Sequence, residues 1–452
     1  MNRSIHTGFG FHVTILICAV LAVYYPILEN DFLYFWDDQL VVINRYTEGG
    51  LNFNNLWSIL TEFYGGQYSP VNQCMYLLIY TLSGYNPLVF HLASLLLHAG
   101  CVCLAYITLR RIFDLTNRMK EENASGIAFV TALLFAVHPM NVEAVAWVSA
   151  SKIVVYAFFY LAATLTWLLY LKKQNTLYYI LTLLLFVLSF GGKEQAVSFP
   201  VWLLLFGWLL GYSLKERRLW LRIIPFFLLA VVFGAVTMLS QATGGGGVLS
   251  DAPAYPLWQR LVLGSYSFVE YLVKFTMPFN LLYIYPFPMV IGEPLPSWML
   301  LYPALVFTVT AALWKYVTKM PVAASLLFFL IHIALVLHLI PLSRFAVIAD
   351  RYIYLACIGL SFIVAYYGVR FMSARKKTVQ KTAIGCFAFA ALSLGVYSNL
   401  RCRDWKDTDS IKSEIRELLE KRDDYPVLEG REKDGSDAVE ENPESAGKEN
   451  ID

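Results

Sequence analysis

Long apolar runs separated by short polar ones dominate the chain, and a bilayer-crossing helix needs ~20 mainly apolar residues. About eleven stretches approach that length: 11–28, 87–109, 124–138, 141–171, 176–190, 196–212, 222–240, 298–314, 321–341, 353–371 and 382–399. The pattern predicts an all-α polytopic membrane protein. Two more stretches, 70–83 and 258–277, are apolar but short or interrupted by Glu270 and Lys274; they are expected to be amphipathic helices at the interface. The first run follows Asn2-Arg3 with no small-residue cleavage site after it, so it reads as a retained helix rather than a signal peptide. A membrane domain is expected over 1–400, with its first outer loop at 29–70, followed by a hydrophilic outer tail over 401–452. Within that tail, 409–422 can form one charged helix, and 430–452 is polar, acidic and expected to be disordered.

Composition agrees with this class. Of 452 residues 58% are hydrophobic and only 15% charged, and a mean hydropathy of +0.55 is too apolar for a soluble protein of this size. A net charge of +2 gives no footprint for nucleic acid. Most of the seven cysteines (Cys18, Cys101, Cys103, Cys357, Cys386) fall inside apolar runs, where a thiol is a small hydrophobe, and no disulfide or zinc framework emerges.

The placement of Lys and Arg orients the spans. With the N-terminus inside, the clusters Arg110 to Lys120, Lys172-Lys173, Lys215 to Arg222, Lys315 to Lys319 and Arg370 to Lys381 share the inner side, and eleven spans leave the C-terminus outside. The remaining polar loops, 31–69, 138–151, 191–195, 241–256, 278–297 and 341–350, then all face the outer compartment. The candidate chemistry falls on one face.

The first outer loop carries Asp37 and Asp38 directly after Tyr34-Phe35-Trp36. Adjacent residues are ~100° apart on a helix, so one aspartate faces a substrate while the other holds a loop or a cation, unless the pair only caps a helix. Transfer to a hydroxyl needs a general base, and an aspartate serves. Asp37, first after the aromatic anchor, is preferred. The loop ends in Gln67-Tyr68-Ser69-Pro70.

In the second outer motif, His138-Pro139-Met140-Asn141-Val142-Glu143 to Trp147-Val148, Pro139 suits the first turn of an inward helix whose dipole end favours phosphate. Glu143 and Trp147, four apart, are expected on one face of that helix; Lys152 reaches a phosphate as a point charge. A carboxylate in a largely apolar helix, as Glu143 is, tends to be functional, whereas His138 reads as a helix-start hydrogen bond. Gly191-Gly192-Lys193-Glu194-Gln195 adds a cation, with a weak Lys193–Glu194 surface pair as the plainer reading, and Gly244 to Gly247 reads as a flexible loop. Ala349-Asp350-Arg351-Tyr352 opens the tenth span, and the planar fork of Arg351 suits a phosphodiester; Arg344 is a weaker second candidate. His91 and His98, seven apart, read as interhelical hydrogen-bonding groups. Metal spacing of the usual kind is absent, which leaves a divalent cation undefined.

In order and spacing, Phe35-Trp36-Asp37-Asp38, Tyr68-Ser69-Pro70, His98, His138-Pro139, Val142-Glu143-Ala144-Val145-Ala146, Lys193-Glu194, Pro278 with Asn280-Leu281, Ala349 to Leu355 and Arg403-Asp404-Trp405 resemble one known family. It is the membrane region of the transmembrane-and-tetratricopeptide-repeat O-mannosyltransferases and their bacterial relatives, in the GT-C superfamily of polyprenyl-phosphate-sugar transferases. The resemblance covers nearly all of 15–410. It implies a GT-C-like bundle and inverting transfer of a mannose-like sugar from a polyprenyl phosphate to a hydroxyl of a protein, glycan or lipid acceptor at the outer face. It further implies that Asp37 or Asp38 is the base, that Glu143 is a second catalytic acid and that Arg351, with Lys152 and Lys193, meets the donor phosphate. His138, Tyr68 and Asp350 would support them. Lys152-Ile153 departs from the Arg/Lys-x-Asp element usual in the family, and no repeats follow Trp405. The expected setting is a bacterial inner membrane with the site toward the periplasm, or the endoplasmic reticulum membrane in a eukaryote. Two rivals remain open: a transporter or flippase of lipid-linked sugars, against which stand the missing internal repeat and the clustering of acids at one surface, and a non-catalytic scaffold, which the Ile153 departure keeps open.

Overall fold

A computed structural model describes residues 2–34, 37–116, 123–243, 255–289, 291–340, 346–373 and 377–420. Among them helices and turns carry the whole architecture; extended pairing is limited to two isolated bridges, Tyr64 with Gln67 and Tyr285 with Ile348. Five helices are long and apolar enough to cross a bilayer: Gly8–Glu29, Pro87–Leu115, Val148–Lys173, Arg217–Thr243 and Lys377–Asp404. Ala124–Val137 and Pro139–Ala146 reach that length only together, with a 59° bend between them, and five apolar helices are shorter: Thr176–Gly192, Glu194–Leu209, Ser297–Ala312, Met320–Val336 and Cys357–Ser373. The chain is a multi-pass membrane protein. Phe35-Trp36, Gly244 to Gly247, Arg344 and 421–452 lie outside the described residues.

The bend follows from covalent geometry. Pro139 has no N–H, and its ring keeps the residue before it out of helical backbone; His138 sits at φ −75°, ψ 128°. The single helix expected over 141–171 is interrupted too. Trp147 leaves the helical region at φ −91°, ψ 120°, splitting the run into Val142–Ala146, Val148–Ala150 and Ser151–Lys173. Glu143 and Trp147 therefore do not share the face of one continuous helix. Contacts from the first loop and the Pro70–Ser83 helix after it hold the break open: Tyr76 of that helix donates its hydroxyl to the Val148 carbonyl at 2.7 Å, and Asp38 accepts from the Ser149 backbone at 2.9 Å.

The Ser151–Lys173 and Thr176–Gly192 helices pack as an antiparallel hairpin turned at Gln174, which adopts left-handed backbone at φ 50°. The Asn175 side chain then caps the second helix by accepting from the Leu177 N–H at 2.8 Å. A bilayer offers little hydrophobic drive for helices to associate, so close backbone approach matters. At Gly192 an added Cβ would lie 2.8 Å from the Tyr156 backbone nitrogen, which is why glycine fits at this crossing.

The last long helix closes the same end. Asn30 donates to the Cys402 and Trp405 carbonyls at 3.0 Å each, and Ser398 donates to the Val137 carbonyl at 2.7 Å. Asp31 N–H bonds the Lys406 carbonyl at 2.8 Å, so the start of the first loop is clamped beneath the end of the last helix.

Candidate active site

Asp37 and Asp38 open a short helix, Asp37–Val41, and the two side chains part company there. Asp38 is fully buried; its oxygens accept from the Leu33 N–H at 2.9 Å, the Ser149 N–H at 2.9 Å and the Ser149 hydroxyl. Burial pushes its carboxyl up to about 6, against the pull of the Ser149 and Leu33 donors, which favour the charged form. Asp37 is exposed. Because Asp38 pins this turn to Ser149, Asp37 comes close to the start of the Ser151–Lys173 helix, and its charge acts on both Lys152 and Arg351.

Lys152, in the first turn of that helix, donates to Gln67 Oε1 at 2.6 Å. Lys193, just past the end of the neighbouring helix at Gly192, is buried with its Nζ 3.9 Å from Glu194 Oε1 and 5.7 Å from the centre of the Tyr352 ring. Lys193, Glu194 and Arg351 all lie within coulombic range of Lys152. The hairpin thus delivers two lysines to one place from adjacent helix ends.

Arg351 completes the cluster. Glu143, 1% exposed, accepts from the Arg351 backbone N–H at 2.7 Å and from its guanidinium. The guanidinium also lies over the rings of Trp147, at 5.2 Å, and Tyr352, at 4.9 Å, and its side chain stays 20% exposed. Both Glu143 oxygens are engaged, so this carboxylate fixes the arginine that remains open to the surface.

Of the supporting residues, Asp350 is buried behind Arg351, where Oδ1 accepts from the Tyr285 hydroxyl at 2.8 Å and Oδ2 lies 3.5 Å from Arg401. Burial raises the Asp350 carboxyl; Arg401 opposes that shift and the Glu143 charge reinforces it. Tyr68, half-buried, donates to the Leu60 carbonyl at 2.8 Å. His138 uses both ring nitrogens, donating to the Phe275 carbonyl at 3.0 Å and accepting from the Met140 N–H at 3.3 Å, with its ring stacked on Phe275. His98, on the Pro87–Leu115 helix, bonds the Tyr354 hydroxyl at 2.6 Å in the turn that precedes Cys357–Ser373. Among the described residues no group of three or more His, Cys, Asp or Glu side chains is arranged to hold a metal ion.

Several residues escaped the sequence reading. Arg401 donates to the Leu281 carbonyl at 2.7 Å and, with Tyr285, holds the turn that carries Arg351. An arginine directly after the last apolar run was the available signal. Ser149 and Gln67 gave none, since their partners are distant in sequence.

No family model matches the chain. Among curated proteins it is similar to human Protein O-mannosyl-transferase TMTC4, 26% identical over 191 residues, which is 38% of this chain and 25% of that protein. It is also similar to human Protein O-mannosyl-transferase TMTC1, 35% identical over 121 residues (25% and 13%), and to Caenorhabditis elegans Protein O-mannosyl-transferase F38B6.6, 28% identical over 197 residues (41% and 26%). The matches thus span about a quarter or less of the relatives' length. Over part of its length, then, the chain resembles the TMTC protein O-mannosyl-transferases.

Proposed function

We propose that the chain is an integral-membrane glycosyltransferase that moves a mannose-like sugar from a polyprenyl phosphate to a hydroxyl acceptor. One observation carries the reading: an exposed carboxylate, Asp37, stands within electrostatic reach of Lys152 and Arg351, with Lys193 beside Lys152, at the ends of apolar helices. Such a cluster provides a base and a seat for phosphate without any group in mid-membrane. On this reading the eleven apolar stretches span the bilayer with the N-terminus inside, and the cluster faces the periplasm of a bacterial inner membrane, or the lumen if the protein is eukaryotic.

In the reaction Asp37 accepts the proton of the acceptor hydroxyl as that oxygen bonds to the anomeric carbon. The bond from that carbon to the phosphate oxygen breaks, and the polyprenyl phosphate leaves with the electron pair. A single displacement inverts the anomeric centre. Lys152, Lys193 and Arg351 stabilise the charge that grows on the departing phosphate; fixed charges in a partly dehydrated site act more strongly than in water. Asp38 and Glu143 are assigned to holding Asp37 and Arg351 in place, and Asp350 with Tyr285 and Arg401 braces the arginine turn. Tyr68 and His138 fix the surrounding loops.

The experiment is transfer of label from polyprenyl-phosphate mannose to serine- and threonine-containing peptides, lipid-linked glycans and lipid headgroups by the purified chain. Transfer with inverted anomeric configuration supports the reading. Movement of intact labelled lipid across proteoliposomes without any transfer would favour a flippase instead.

A further inference from the structure

A polar cavity lies at the opposite end of the helix that begins beside the candidate site. That helix, Ser151–Lys173, has 23 residues, about 35 Å at the α-helical rise. Lys152 stands at one end, and Trp167 and Gln174 line a cavity of about 240 Å³ at the other. Tyr212, Glu216, Arg218 and Arg222 complete its polar wall.

The charge around it is one-sided. Lys172 and Lys173 end the helix immediately before Gln174, and Lys215, Arg217, Arg218 and Arg222 surround Glu216 in sequence, six cations against one carboxylate. Glu216 is committed in part, since its Oε1 accepts from the Ser213 N–H at 3.2 Å. Arg222 is oriented rather than loose: it donates to Gln174 at 3.0 Å and its guanidinium lies 5.6 Å from the centre of the Tyr170 ring. No carboxylate among the described residues pairs with Arg218 or Arg222. The long helix Arg217–Thr243 starts at this wall and adds its positive dipole end.

We infer that this cavity binds a phosphate-bearing group, the headgroup phosphate of an anionic lipid in the leaflet opposite the candidate active site or a soluble phosphate. Two arginines, one held in place and one exposed, match a phosphate's oxygens with planar donor forks. The space is below the roughly 300–1,000 Å³ of pockets for drug-sized ligands, so it suits a headgroup rather than a whole sugar lipid. Basic pockets between helices at a membrane surface are where anionic headgroups settle. The occupant would bridge the hairpin of Ser151–Lys173 and Thr176–Gly192 to the Arg217–Thr243 helix and so stabilise the fold from its far side.

The test uses the full chain in nanodiscs of phosphatidylcholine with or without phosphatidylglycerol, read by native mass spectrometry and thermal melting. A parallel series in detergent is titrated with inorganic phosphate. The wild type is expected to retain phosphatidylglycerol and to melt higher with it, and Arg218→Gln to retain several-fold less; Lys381→Gln, a cation away from the cavity, should behave as wild type. Arg222→Gln removes the tie to Gln174 and risks the fold. The exposed Arg218 carries no such tie, so its variant decides. Stabilisation by phosphatidylglycerol but not inorganic phosphate identifies the lipid as the source; equal stabilisation by inorganic phosphate, lost in Arg218→Gln, identifies a soluble one. Equal retention and equal melting by wild type and Arg218→Gln with both probes would overturn the inference.

Discussion

At the scale of single residues, burial separates two neighbouring aspartates of the same chemistry. Asp38 is enclosed and triply hydrogen-bonded, while Asp37 keeps its exposure, and only an exposed carboxylate exchanges a proton with an incoming hydroxyl without first opening the fold. The Asp38 carboxyl is pushed by burial from 3.8 to about 6, so the folded state binds more protons than the unfolded state between those values. Stability should therefore fall as pH rises from about 4 to about 6, and the part due to Asp38 should vanish in Asp38→Asn. Melting of wild type and Asp38→Asn from pH 4 to 8 measures it; parallel profiles for the two proteins would contradict the assignment. Lys193→Gln removes a cation from the proposed phosphate seat and is expected to weaken donor binding about tenfold, ~1.4 kcal/mol, read as a rise in KM for the lipid donor. An unchanged KM would place the donor elsewhere.

At the scale of elements, the site depends on two interruptions and one tight crossing. The break at Pro139 was legible in the sequence, because the missing N–H and the restricted residue before proline act locally. The break at Trp147 was not. Nothing in Val145-Ala146-Trp147-Val148 forbids a helix, and the chain departs from one because Tyr76 and Asp38, far away in sequence, take up the freed backbone groups. For the same reason the candidate residues were legible as charged groups in apolar surroundings, whereas the Glu143–Arg351 pairing and the brace from Arg401 depend on which helix ends meet. The Gly192 crossing gives a direct check. Gly192→Val would set new atoms against the Tyr156 backbone, where an added Cβ alone lies 2.8 Å from its nitrogen, and overpacking of this kind costs about 1–3 kcal/mol. Melting in detergent should drop by several degrees, and Gly234→Val, where nothing lies near the added carbon, should change it far less.

At the scale of the whole molecule, the helices act as a scaffold that gathers short loops from distant parts of the chain at one end. Asn30 and Asp31 tie the first loop to the end of the Lys377–Asp404 helix there, and Ser398 ties that helix to Val137. The cluster gathered there is proposed to transfer sugar with Asp37 as the base. The most direct measurement is the initial rate of mannose transfer from labelled polyprenyl-phosphate mannose by wild type and Asp37→Asn, with folding of both checked by melting. Loss of a general base typically costs 10²–10⁴-fold, so Asp37→Asn is expected to transfer at least about 100-fold more slowly at an unchanged melting temperature, with Asp37 as the base. Equal rates in the two proteins would contradict it.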